Sequence, residues 1–215
     1  MLEAYGQSDV GRRRKLNEDN VLVDEETFLF SVADGMGGHN AGEVASKMAI
    51  ETLQSFIERS HKEKEITWPY GLDVNLSFEG NRLKTAIKLA NKKVYRAADQ
   101  REEYTGMGTT AVAALGEGIL NAEEIDRHPL RNVITKAVGA KDTIELDVVE
   151  QKLLRGDVVL LCSDGLHAML HDDQILKAVT PFPESLEEAA GRLIDAANEA
   201  GGKDNVSVVL LRYTE

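Results

Sequence analysis

The stretch Phe28-Leu29-Phe30-Ser31-Val32-Ala33-Asp34-Gly35-Met36-Gly37-Gly38-His39 decides how this chain is read. An apolar run stops at an Asp-Gly pair, and Val158-Val159-Leu160-Leu161-Cys162-Ser163-Asp164-Gly165 does the same. Short β-prone runs bounded by turn formers fit buried strands better than short helices. Asp34 and Asp164 are therefore expected at strand ends, held at one edge of the core. Working outward, Asp204 in Gly201-Gly202-Lys203-Asp204-Asn205 precedes the run Val206 to Leu211, and Glu18-Asp19 precedes Val21 to Val23. Acids placed repeatedly at strand ends suggest a hard-metal site, because oxygen ligands suit Mg²⁺ and Mn²⁺. One Asp-Gly pair is a common turn dipeptide. Two of them, with Lys203-Asp204-Asn205, favour the metal reading of an enzyme.

With 215 residues, 42% of them hydrophobic and 29% charged, the chain has the composition of a soluble globular protein and can bury a substantial core. Its net charge of -12 argues against nucleic acid and against an anionic membrane surface as partners. The single cysteine, Cys162, excludes an internal disulfide and fits a reducing cytoplasm. It reads as a small buried hydrophobe rather than a nucleophile. Met1 to Gly6 has neither the basic nor the apolar region of a signal peptide, and no run approaches membrane-spanning length.

No linker-like stretch divides the sequence, so residues 1–215 read as one domain. Val44, Ala45, Met48, Ala49, Leu53, Phe56 and Ile57 recur at helical spacing and predict a helix over Ala41 to Ile57. Arg59 to Glu65 reads as its solvated end. A loop from Trp68 leads to a second helix over Asn81 to Arg101, and strands are predicted over Thr109 to Leu115, Val133 to Val138 and Ile144 to Glu150. Ser185 with Glu188 has capping-box spacing for a last helix, Leu186 to Ala200, ended by Gly201-Gly202. A final strand spans Asn205 to Tyr213. Strands separated by pairs of helices point to a layered α/β sandwich rather than alternating βαβ units.

The run Arg12-Arg13-Arg14-Lys15 lies beside Glu18-Asp19, and arginine can grip phosphate oxygens bidentately. Taken together, Ser8-Asp9-Val10-Gly11 with Arg14 and Asn17-Glu18-Asp19, then Ala33-Asp34-Gly35-Met36-Gly37-Gly38-His39, Met107-Gly108-Thr109-Thr110, Ser163-Asp164-Gly165-Leu166 and Gly202-Lys203-Asp204-Asn205-Val206 resemble the PP2C family. These are the metal-dependent serine/threonine protein phosphatases, here in the bacterial style. The resemblance covers nearly the whole chain in family order. It implies a four-layer α-β-β-α sandwich, with two central antiparallel sheets flanked by helix pairs.

It further implies two Mn²⁺ or Mg²⁺ ions. Asp34 would bridge them, Gly35 would contribute its carbonyl, Asp164 and Asp204 would complete one shell, and Glu18 would act through water. Arg14 would hold the substrate phosphate, with Asp19 and Asn205 in support. The expected reaction is hydrolysis of phosphoserine and phosphothreonine by a metal-bridging hydroxide. The expected partners are phosphorylated proteins, among them a bacterial Ser/Thr kinase and its targets, acted on by a cytoplasmic monomer. The alternative is a non-catalytic PP2C-like module that binds phosphoproteins.

The chain departs from the family pattern in three places. Met36 stands where animal members carry a histidine, which leaves the general acid unassigned. Ala168 stands where some members have an aspartate for a third metal. After Gly118 the family continues through a strand with a Gly-Asp-Ser-Arg motif and a flap, whereas this chain passes to Ile119-Leu120-Asn121-Ala122-Glu123-Glu124-Ile125. Losing central strands is expected to expose core and leave ladder groups unpaired.

Overall fold

The continuous apolar runs belong to strands that are covered on both faces. In a strand, successive side chains point to opposite sides. Leu29 of β3 (Leu29–Met36) faces one core, while Phe30 and Val32 face another. In β4 (Gly108–Leu115), Ala111, Ala113 and Leu115 face the first core and Ala114 the second. In β8 (Val206–Tyr213), Val206, Val208 and Leu210 face a third core, while Val209 and Leu211 join Phe30 and Val32. Alternation between two buried faces reads in sequence as an unbroken hydrophobic run. Each such fully buried large side chain contributes roughly 1.5–3 kcal/mol.

The computed structural model describes residues 2–38, 41–63, 67–116, 129–135, 137–180 and 185–214. The strands β1 (Leu2–Asp9), β2 (Asp19–Asp24), β5 (Pro129–Thr135), β6 (Leu146–Lys152) and β7 (Val158–Cys162) complete two antiparallel sheets. The larger has the order β2-β3-β4-β5-β6 and the smaller β1-β8-β7. Helices α1 (Ala41–Lys62) and α2 (Phe78–Gln100) cover the larger sheet. The smaller is covered by α5 (Leu186–Glu199), with the short α3 (Asp164–His167) and α4 (Asp172–Val179) beside it. Three cores between four layers make the expected α-β-β-α sandwich.

Differences from the sequence reading have local causes. Helix α1 continues past Ile57 to Lys62, and Arg59, His61 and Lys62 in its last turn complement the helix dipole. Helix α2 starts at Phe78 because Ser77 caps it, its side chain accepting from Gly80 N at 3.2 Å. Strand β1 was not expected from sequence, since Gly6, Gln7 and Ser8 dilute its pattern, yet it pairs with β8 along its full length. Helix α4 was also missed. His171 and Gln174 close a capping box at its start. The final helix is capped by Ser185 as expected, and Gly201 and Gly202 follow it at φ of 132° and 49°.

The expectation of an unpaired ladder after β4 is not met. Strand β5 lies directly against β4, with Val112 opposite Ile134 and Leu115 opposite Arg131, and β6 pairs outside it. To reach that position β5 starts at Pro129 instead of Val133, and Val138 keeps only a bridge to Thr109. Among the described residues no helix is long and apolar enough to cross a membrane.

Candidate active site

The two Asp-Gly pairs turn out to be built differently. Asp34 is not at a strand end: β3 runs on to Met36, with Asp34 opposite Asp19 of β2 and Thr110 of β4. The turn reading fails there because the backbone remains paired on both sides. Asp164 instead opens α3, directly after Ser163 at the end of β7. Asp204 lies in the turn between α5 and β8. One sheet thus supplies Asp34, with Glu18 and Asp19, and the other supplies Asp164 and Asp204, all at the same edge of the sandwich.

Burial and the neighbouring acids act together on Asp34, whose pKa is pushed up to about 7. Burial is the largest cause; the charges of Asp19, Asp164 and Asp204 follow, and Asp34 also shares a hydrogen bond with Asp164. Asp19 is raised as well, first by burial, against hydrogen bonds from Ser207 and Ser163 that favour its ionised form. Asp204 faces Arg14, whose guanidinium donates to its carboxylate at 2.7 Å.

Among the described residues no three His, Cys, Asp or Glu side chains already converge to hold an ion. Asp34 pairs with Asp164 and Asp204 with Arg14. The donor set nonetheless fits a divalent cation in its chemistry: only oxygens, mostly anionic, buried and crowded enough that Asp34 holds its proton near neutrality. A cation would relieve that crowding, with Asp204 exchanging Arg14 for the ion.

The loops are held by contacts that admit no side chain. A Cβ on Gly35 would sit 2.1 Å from Gly42 O and 2.6 Å from Glu18 O; one on Gly165 would sit 1.9 Å from Asn205 O. Gly11, at φ +79°, would come within 2.2 Å of Asp204 O. The start of α1, the β2 entry and the β8 entry therefore pack backbone to backbone around the acids. Gly35 N donates to Glu18 O at 3.2 Å, and Ser46 Oγ of α1 donates to the same oxygen at 2.6 Å.

Asn205 is the clamp of this arrangement. Its side chain donates to Val10 O and Leu16 O and accepts from Glu18 N, so one amide fixes the loop carrying Arg14. The amides of Arg12 and Arg13 add bonds to Gly202 O.

Sequence reasoning missed a line of hydroxyls behind the acids, half-buried at Ser8 and buried at Ser207 and Ser163. Asn17 Nδ2 donates to Ser8 Oγ at 2.7 Å, Ser8 Oγ lies 2.7 Å from Ser207 Oγ, and Ser207 Oγ donates to Asp19 Oδ2 at 2.7 Å. Ser163 Oγ accepts from Ser207 N at 3.0 Å. The available signal was Ser207 itself, a polar residue inside a run buried on both faces, where a hydroxyl needs a partner. Of the family departures, Met36 is exposed beside Gly108, and Ala168 caps the C-terminus of α3. His39 and the segment after Gly116 up to residue 128 lie outside the described residues.

Four findings relate this arrangement to known proteins. The family model described as Stage II sporulation protein E (SpoIIE) matches residues 24–214. The chain is 32% identical over 240 residues to the Protein phosphatase PhpP of Streptococcus pneumoniae, covering 97% of this chain and 96% of that one. It is 29% identical to the Serine/threonine phosphatase stp of Listeria monocytogenes, covering 98% and 95%. That second alignment runs over 255 positions, more than the 215 residues of this chain, so the relative carries residues with no counterpart here. Among solved structures, the catalytic domain of the serine threonine protein phosphatase PstP in complex with two manganese ions superposes with a TM-score of 0.78. It is 28% identical, over 100% of this chain and 99% of that one.

Proposed function

The chain belongs to the SpoIIE family of PP2C-type domains, and from that membership and the acid edge at the sandwich rim we propose how it works as a metal-dependent protein serine/threonine phosphatase. It hydrolyses phosphoserine and phosphothreonine in protein substrates, using Mn²⁺ or Mg²⁺. The observation that carries the site assignment is the meeting of Asp34 and Asp19 from one sheet with Asp164 and Asp204 from the other, where burial first and these neighbouring charges second push the Asp34 pKa up to about 7.

In this reading Asp34, the Gly35 carbonyl, Asp164 and Asp204 would hold two ions, with Glu18 acting through water. Bound there, such ions would supply water activation for in-line attack on phosphorus and neutralisation of the charge that builds in the transition state. The chain's own residues do the positioning. Ser207 and Ser163 keep Asp19 in place behind Asp34 through their hydrogen bonds. Asn205 holds the Arg14 loop against Asp204. Arg14, half exposed and bonded to Asp204, is placed to swing onto a phosphate and bind it bidentately. Residues 1–215 act as one domain, a cytoplasmic monomer whose substrates include the targets of a bacterial Ser/Thr kinase.

The deciding test is phosphate release from a phosphothreonine peptide with Mn²⁺ and with EDTA. We expect turnover with Mn²⁺ and a fall of at least about 10³-fold in EDTA, because both nucleophile activation and charge neutralisation are lost. A folded protein silent with Mn²⁺ overturns the reading. Arg14→Ala should raise KM about tenfold while kcat falls less, since the residue grips phosphate in ground and transition states alike. Its exposed bond to Asp204 is worth only about 0–1 kcal/mol, so folding is not the cause of the change. An unchanged KM removes the phosphate role.

A further inference from the structure

A groove of about 590 Å³ runs along the outer side of the α1–α2 helix pair. Five residues lining it are cationic: Arg59 of α1, Lys92, Lys93 and Arg96 of α2, and Arg101 just after α2. No acid lines it, in a chain where Asp and Glu outnumber Lys and Arg by 37 to 25. Among the described residues, Arg59, Lys92, Lys93 and Arg96 form no ion pair. Arg101 reaches Glu103 only at 3.9 Å, with both side chains exposed. Lys92 and Arg96 stand four residues apart on one helix face, a like-charge placement that disfavours the isolated helix. Between the cations the groove presents Met48, Phe56, Leu89 and Tyr104.

We propose that this groove docks an acidic, amphipathic segment of a protein partner, with its apolar side chains on the floor and its carboxylates against the five cations. An apolar floor under a charged rim is what a helix-in-groove contact requires. The rest of the surface decides between anions. The whole chain carries -12, so a long polyanion or a flat anionic bilayer meets repulsion everywhere outside the groove. A short acidic segment stays within about one Debye length, ~8 Å, of the cations and escapes it. The apolar floor offers nothing to a phosphate backbone.

The groove is also separate from the acid edge. Gly42 in the first turn of α1 touches Glu18 and Gly35, whereas Ser55 and Arg59 line the groove further along the same helix. At 1.5 Å per residue Met48, the groove residue nearest Gly42 on α1, lies about 9 Å along the helix and the cation Arg59 about 26 Å, so the charged part of the groove stands apart from the Asp34 edge.

The test uses fluorescence anisotropy of a labelled, unphosphorylated amphipathic helical peptide with Glu on one face and Leu on the other, independent of any turnover. Saturable binding is expected, and it should be lost when Lys replaces Glu in the peptide. Binding should weaken at least about tenfold in the variant K92E/K93E/R96E, and about threefold in the milder K93Q/R96Q, which keeps the fold if charge reversal does not. It should also weaken as salt is raised. No binding to the folded wild type, or binding unaffected by either variant, overturns the proposal. Co-sedimentation with phosphatidylserine vesicles, or dimerisation in sedimentation, that is lost in K93Q/R96Q would assign the groove to a bilayer or to a second copy and overturn it too.

Discussion

Asp34→Asn reduces metal-dependent phosphate release by at least about 10³-fold, roughly 4 kcal/mol of transition-state stabilisation, because a carboxylate proposed to hold the ions is gone. The same substitution stabilises the protein when metal is absent. In the fold, burial and the charges of Asp19, Asp164 and Asp204 raise Asp34 to about 7, against 3.8 for the free side chain. Between those values the folded state binds the extra proton, so this group's contribution to stability falls as pH rises from about 4 to 7 and is lowest above that window. The full shift corresponds to about 4 kcal/mol; partial exposure and solvent screening reduce it to about 1–2 kcal/mol. Asparagine carries no charge and escapes the penalty. Thermal unfolding in EDTA should therefore show the variant above the wild type at pH 8, with the difference closing toward pH 4. Retention of most of the activity by Asp34→Asn would refute the assignment. A variant less stable than wild type at pH 8 would show that burial and the neighbouring acids do not disfavour the Asp34 charge as described.

Gly35→Ala should be nearly as damaging, by a different route. The added methyl would lie 2.1 Å from Gly42 O, 2.5 Å from Gly42 C and 2.6 Å from Glu18 O. All three are backbone atoms, so no side-chain rotation relieves the overlap, and α1 must move away from β3. Overpacking of this kind costs about 3 kcal/mol. For a chain of this size that lowers the unfolding midpoint by about 6–12 °C. Displacing Glu18 and Asp34 by even about 1 Å should cost on the order of 10²-fold in turnover. Gly191→Ala is the control: nothing lies within 4 Å of its added methyl, and it sits inside α5. That change should leave activity alone and raise stability by up to about 1 kcal/mol. Equal behaviour of the two variants would mean that the backbone contact at Gly35 has no role.

Period and punctuation made much of this legible from residues alone. The apolar runs ending in Asp34 and Asp164, and the one after Asp204, named three acids and their strands, because burial on two faces leaves a continuous hydrophobic signature. The helical spacing from Val44 to Ile57 and the Ser185 cap located α1 and α5 for the same local reason. Position in space was not legible. Asp34 lies within a strand rather than at its end, because tertiary pairing with Asp19 and Thr110 overrides the turn preference of Asp-Gly. Strand β5 begins at Pro129, not Val133, because the open edge of β4 had to be filled. The Ser8–Ser207–Asp19 line and the three-way clamp of Asn205 join residues nearly two hundred positions apart, and no local pattern encodes such contacts. Arg59 reads in sequence as part of a solvated helix end, and no spacing along the chain ties Lys92, Lys93 or Arg96 to it. Only the packing of two helices gathers Arg59 with Lys92, Lys93 and Arg96 over a shared apolar floor, since long-range neighbours are set by the fold and not by spacing along the chain.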